Sequence, residues 1–293
     1  MPANSVAEQA HTHFEFVITC DWSAAIGRKP NPCEDRCWIA WGTRDDRSEP
    51  MYCPTRLEAE QRIIELLTGP ARGLRSLVGF DFAIGYPTAT DGSHVLPTGR
   101  ELCAMLAERI TDDASGNNNR FQVAQSLNAE IKAKTGDSCG PFWGRPRELD
   151  LPDLPPTRPS NTSIEKLRPT EVAARKATRS KPKSPWQLTG AGSVGSQSLV
   201  GLPVVHRLLM HEGLRQRASL WPFEEPSDIT ISEIYPSLFP ERSPSYWYRD
   251  ARQVVDARDA ILTLAMPDRP DASEGWIYGL PAPAVTRCEA NSA

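Results

Sequence analysis

Apolar, β-branched and aromatic residues crowd positions 14–20, Phe-Glu-Phe-Val-Ile-Thr-Cys, with no glycine or proline among them. That composition predicts a strand. A second run at 36–42 and a short one at 51–53 follow across polar turns. Links this short allow antiparallel pairing only, so the three make a meander. Thr55 with Glu58 three residues on forms a capping box. The helix it opens carries Leu57, Ile63, Ile64, Leu66 and Leu67 on its apolar side and stops before Gly69-Pro70. Residues 76–80 begin a further buried strand. The order strand, strand, strand, helix, strand sets it parallel to the first, with the helix as crossover.

Beyond it the pattern predicts helices over about 99–110 and 117–134, then a stiff aromatic loop at 140–144. Residues 150–186 are rich in Pro, Lys and Arg and have little periodicity; positions 158–183 hold eight Lys or Arg against two Glu. This reads as a basic surface excursion, partly disordered, placed to close over a polyanionic ligand. A Gly- and Ser-rich loop at 190–198 leads into a helix over 199–212, broken near Pro203. Strands follow at 218–223 and 228–235, and a helix over 248–266.

Length changes the picture little: 293 residues with 39% hydrophobic content suit one large α/β domain or two small ones. A formal charge of -4 argues against nonspecific nucleic-acid binding, so any such site is a local patch. No apolar run approaches the roughly 20 residues of a membrane span. With no basic-then-apolar leader, the expectation is a soluble, cytoplasmic protein without a membrane partner; oligomeric state is left open. Seven cysteines, an odd number, argue against a disulfide framework. Cys33, Cys37 and Cys53 with His11 and His13 fit no standard zinc spacing, and Cys37 opens a strand as a small apolar side chain.

The candidate chemistry lies in carboxylates at strand ends. Asp21 closes the first strand, where a buried unpaired acid is costly. It suits a metal ion, or a phosphate held through one; the alternative is an Asp opening an Asx-type turn. Asp81 ends the parallel partner strand, so both acids emerge at the carboxyl edge of the sheet, where open α/β sheets place ligands. Glu233 comes late in another strand, and Asp256 and Asp259 share a face of the last helix. Asn118, Asn119 and Arg120 at a helix start offer donors to an anion; the alternative is helix capping on a solvated surface. So does the loop bearing Gly192, Ser193, Gly195 and Gln197, which lacks both the Walker ending and a Rossmann context. Trp143 is a candidate wall of a nucleotide pocket.

Strand acid, strand acid, late strand acid and a helical acid pair is the order found in ribonuclease H-like enzymes, and residues 255–262 resemble the last motif of Holliday-junction resolvases. The strings Asp21-Trp22-Ser23-Ala24, Val78-Gly79-Phe80-Asp81-Phe82, Asn118-Asn119-Arg120-Phe121, Gly140-Pro141-Phe142-Trp143-Gly144, Trp221-Pro222-Phe223-Glu224, Glu233-Ile234-Tyr235-Pro236-Ser237 and Glu274-Gly275-Trp276-Ile277 extend the likeness, as does the stretch 190–197. On these the chain resembles an uncharacterised bacterial family of ribonuclease H-like predicted nucleases, whose members are often labelled molybdopterin-guanine-dinucleotide synthesis proteins. The resemblance implies one domain over 1–293: a ribonuclease H-like mixed sheet, antiparallel meander plus parallel strands, flanked by helices, with a large insertion at about 88–190. It implies a Mg²⁺- or Mn²⁺-dependent phosphodiester or phosphate-ester hydrolase. Asp21, Asp81, Glu233 and Asp259 would be catalytic, and the same four with Asp256 would hold two metal ions. The ligand would be nucleic acid, or a nucleotide or pterin phosphate. Alternatives are a nucleotide- or pterin-handling protein of cofactor synthesis, a phosphotransferase, and a noncatalytic binding protein.

Overall fold

The computed structural model describes residues 13–160, 162–242, 246–270 and 272–282. Its centre is a six-stranded mixed sheet in the order β3-β2-β1-β4-β6-β5. The strands are β1 Phe16–Asp21, β2 Cys37–Gly42, β3 Met51–Cys53, β4 Ser76–Phe80, β5 Ala218–Leu220 and β6 Ile229–Glu233. The meander is antiparallel as expected, and β1, β4, β6 and β5 are mutually parallel. Helix α1, Arg56–Thr68, is the crossover from meander to β4, and the Thr55 hydroxyl accepts the Glu58 N–H at its start. Between β4 and β6 lie α2 Gly99–Arg109, α3 Arg120–Thr135, α4 Pro169–Ala177 and α5 Gly195–Met210; α6 Arg249–Ile261 comes last.

Side chains alternate across the pleat. Ile18, Cys20, Val78, Phe80 and Ile231 face one way, into the large core shared with α1, α2, α3 and α5. Val17, Leu77 and Ile234 face the other, with Ala257, Ile261 and Tyr278. Trp38 and Ala40 meet Ala251, Val254 and Val255 on that same side. Helix α6 is set by two buried polar anchors. The Thr19 hydroxyl donates to the Val254 carbonyl at 2.6 Å, and the Arg258 guanidinium donates to the carbonyls of Trp41 (3.0 Å) and Ser48 (2.6 Å). Val254 therefore lies over Thr19 and Ile261 over Val17, so α6 runs opposite to β1 and brings its first turn to the carboxyl edge.

Two expectations are corrected here. Residues 150–186 do not read as an unpacked excursion. They contain α4 and bury Leu154, Ile164, Arg168 and Trp186, and Trp186 stacks on Tyr86 with 4.5 Å between ring centroids. Pro203 does not break its helix: α5 runs from Gly195 through it, with most of its residues buried between the sheet and α2. Tertiary packing outweighs the roughly 3 kcal/mol that an interior proline costs.

Candidate functional site

β1 and β4 pair in register, Cys20 beside Phe80, so the next residues, Asp21 and Asp81, leave the carboxyl edge side by side. The charge of Asp81 bears directly on Asp21, and Asp81 Oδ1 accepts the Trp22 N–H at 2.7 Å. Burial pushes both groups up, Asp81 to about 7 and Asp21 well above the ordinary carboxylate range; Asp81 and then Asp250 add repulsion at Asp21. Two acids this close and this dry share a proton rather than ionise together. They form the floor of a cleft of about 720 Å³, which Asp35 and Asp250 also line.

Four cations line the same cleft: Arg120, Lys181, Lys183 and Arg249. Arg120 opens α3 and is held by neutral partners. Its Nε donates to Ser196 Oγ at 2.9 Å, one terminal nitrogen to Asn118 Oδ1 at 2.8 Å, and its plane lies 4.3 Å from the Phe121 ring. Among the described residues it forms no ion pair. Burial lowers its pKa to about 10; Arg56 adds repulsion and Asp112 offsets part of it, so it is a cation without an ion pair in an acid-lined cleft. Arg56 sets the spacing between them. It binds Asp112 through two nitrogens (2.5 and 2.6 Å) and donates to the carbonyls of Ser23 (2.8 Å), Ala25 (3.0 Å) and Gly116 (2.7 Å). That ties the chain after Asp21 to the turn before Arg120.

Of the expected site residues, Asp21, Asp81, Glu233, Arg120, Gly192, Ser193 and Gln197 line the cleft. Glu233 does so differently from the aspartates. Its register partner is Phe80, so its side chain follows the face opposite to theirs. Both its oxygens accept from Arg168, at 2.7 and 2.8 Å, and Oε2 also accepts the Ile84 N–H at 2.9 Å. Arg168 is wholly buried and also pairs with Glu171. Burial alone would lower its pKa, but Glu171 and Glu233 hold it above the ordinary value. Glu233 is thus a paired carboxylate, not an open ligand.

Asp256 and Asp259 lie off the cleft. From Asp250 to Asp259 is nine residues, about 13 Å along a helix. Asp259 instead pairs with Arg258 at 2.8 Å and Arg47 at 3.5 Å. Asn119 brackets a turn, accepting the Thr111 N–H and donating to the Arg109 carbonyl. Asn118 acts through Arg120. Trp143 is buried, and its backbone pairs with Trp186 and Leu188, supporting the loop that carries Gly192. Gly195 is a close-approach glycine: a Cβ there would meet the Pro185 carbonyl at 2.4 Å. His11, one of the residues weighed for zinc, lies outside the described residues.

Asp250, Asp35 and Glu171 are the cleft acids that sequence reasoning missed, the last of them paired with Arg168. Asp250 Oδ2 accepts the Asp35 N–H at 2.9 Å, and burial raises its pKa. Its signal was a position two residues into a helix that reads as helix-dipole complement. Among the described residues, no three His, Cys, Asp or Glu side chains form a complete metal cage. The expected five-carboxylate set is therefore not gathered. The Asp21–Asp81 pair still suits Mg²⁺, which is commonly held by one or two carboxylates plus water and substrate phosphate. A cation between the two would replace their shared proton and relieve the repulsion.

The fold and cleft define an α/β protein with a mixed six-stranded sheet and a pocket of segregated charge at its carboxyl edge. No helix among the described residues is long and apolar enough to cross a membrane. Comparison with protein-family models, with curated proteins and with solved structures gave no match.

Proposed function

We propose that the protein is a Mg²⁺- or Mn²⁺-dependent hydrolase of phosphate esters, working at the Asp21–Asp81 pair. The observation that carries this reading is the pair itself, two buried carboxyls at the ends of adjacent, in-register parallel strands, lining one cleft with Arg120, which forms no ion pair among the described residues. Asp21 and Asp81 would hold the metal. Bound there, a divalent cation supplies polarisation of the phosphoryl group and a water of lowered pKa. Arg120 presents an unspent guanidinium edge to non-bridging phosphate oxygens, where charge-assisted bonds are strongest. Lys181 and Lys183 add positive charge above it. Gly192, with φ +69 and only the Lys183 side chain at van der Waals distance from where a Cβ would stand, leaves the loop backbone accessible to a ligand. Asp250 stands where it can orient water or accept a proton.

A bounded cleft of about 720 Å³ is of the size that encloses a small ligand, which favours nucleotide-sized esters over a duplex. The test is hydrolysis of bis-(p-nitrophenyl) phosphate, dinucleotides and single-stranded oligonucleotides with Mg²⁺ or Mn²⁺, using wild type and Asp21→Asn. Metal-dependent turnover that the variant loses supports the reading. Absence of both turnover and any Asp21-dependent metal effect on melting would leave a binding protein.

A further inference from the structure

The stretch 180–184 borders the cleft and is fixed along its length. Ser180 hydrogen-bonds the Tyr235 hydroxyl, the Pro182 carbonyl accepts from Arg175 at 3.1 Å, and the Ser184 hydroxyl accepts the Trp186 N–H at 3.2 Å. Pro182 and Ser184 are buried, whereas Lys181 and Lys183 are exposed and line the cleft. Neither lysine forms a hydrogen bond or an ion pair among the described residues. The loop that follows draws the rest of the site together. The Lys183 side chain lies beside Gly192, 4.0 Å from where a Cβ would stand. Arg120 donates to Ser196 at 2.9 Å, and the Gln197 amide donates to the Trp22 carbonyl, one residue past Asp21. The loop at 190–197 thus ties together a free lysine, the unpaired arginine and the acid floor. A phosphate diester has two non-bridging oxygens; a monoester has three and is close to a dianion near neutral pH. With a cation on the floor and Arg120 each engaging one oxygen, a diester turns only carbon-bearing oxygens to the lysines. A monoester offers them a third charged acceptor.

We propose that the cleft takes phosphate monoesters in preference to diesters, with the third terminal oxygen held by Lys181 and Lys183. The proposal rests on the phosphate-ester reading above and fixes which class of ester it concerns. In the reaction a water oxygen bonds to phosphorus as the P–O bond to the alcohol breaks. One water proton passes to the leaving alcohol, and the other stays on inorganic phosphate.

The probes are phenyl phosphate and methyl phenyl phosphate, which differ by one methyl group, titrated calorimetrically at one fixed concentration of free Mg²⁺. Wild type should bind the monoester roughly ten- to a hundredfold more tightly, the range for a hydrogen bond to a charged group. A double variant, Lys181→Met with Lys183→Met, should cut that preference to about threefold or less. Its melting should match wild type, since both side chains are exposed. If wild type binds the two esters alike while diester binding depends on Mg²⁺ and Asp21, the monoester proposal is wrong and the phosphate-ester reading stands. A preference that survives the loss of both lysines undiminished would overturn the proposal as well. If neither ester binds with Mg²⁺, both readings fall. The wild-type comparison needs no variant, so a misfolded double variant would not spare the proposal.

Discussion

Replacing Asp81 by Asn should stabilise the metal-free protein, although it removes a residue of the proposed centre. Burial, and after it the charge of Asp250, holds Asp81 protonated up to about pH 7, whereas an Asp in an unfolded chain ionises near pH ~3.9. The folded state therefore binds this proton more tightly, and stability must fall as pH rises between those values, then level off. Each pH unit is worth about 1.4 kcal/mol, so the loss approaches about 4 kcal/mol at most. Asn stays neutral throughout and can still accept the Trp22 N–H through its oxygen. Urea denaturation in chelator should find the variant about 1.5 kcal/mol more stable than wild type at pH 5, and up to about 4 kcal/mol at pH 8. Mg²⁺ should then narrow the gap at pH 8 by more than half. A ligand at a hundred times its Kd adds about 2.7 kcal/mol to the wild type and nothing to a variant that cannot hold it. At pH 5 the pair keeps its protons, and the Mg²⁺ effect should shrink for the wild type as well. A variant less stable than wild type at pH 8 without metal, or an equal response of both to Mg²⁺, would refute the shared-proton floor.

Arg120→Ala should weaken Mg²⁺-dependent phosphate binding ten- to a hundredfold, roughly the worth of one charge-assisted hydrogen bond. Melting should shift little, since the variant breaks no ion pair; a loss above about 2 kcal/mol would make Arg120 structural. Arg168→Met should behave oppositely. It strands Glu171 and Glu233 as buried unpaired acids and should cost about 3–5 kcal/mol in denaturant unfolding, whereas near-neutral stability would show that the network is dispensable.

The acid pair was legible because it follows from connectivity. Once the 76–80 strand is parallel to the first, both end at one edge and Asp21 and Asp81 meet there. Arg120 was legible only as one of two readings, an anion donor or a capped, solvated helix start, and the run divides between them: Arg120 lines the cleft while Asn119 brackets a turn. Asp250 left no such trace, since an acid in a helix's first turn is already explained by the dipole. Which acids of α6 reach the cleft depends on how the helix lies along β1, and that is decided by Thr19 and Arg258, side chains far apart in sequence. The fate of Glu233 was hidden for a similar reason. Its partner Arg168 sits 65 residues away, in a stretch whose composition argues for disorder. Composition counts charges but cannot see that one of eight cations is wholly buried against two acids, or that Leu154, Ile164 and Trp186 pin the stretch at intervals too irregular to show a period.

The way charge is distributed in the cleft is a stronger argument for a metal–phosphate ligand than any single residue. Arg120 and the aspartate floor line one cavity, and left to themselves an arginine and an acid would pair and quench each other. Here they do not, because each is engaged elsewhere. Asp81 accepts from Trp22, Arg120 donates to Ser196 and Asn118, and Arg56 braces the loop after Asp21 against the turn before α3. The Glu233 and Glu171 carboxylates, which also line the cleft, are already paired with Arg168. Holding opposite charges apart in a partly dry site costs stability. The arrangement is complementary to a ligand that brings a cation to the floor and an anion to the wall together, as a divalent metal with a phosphate ester does.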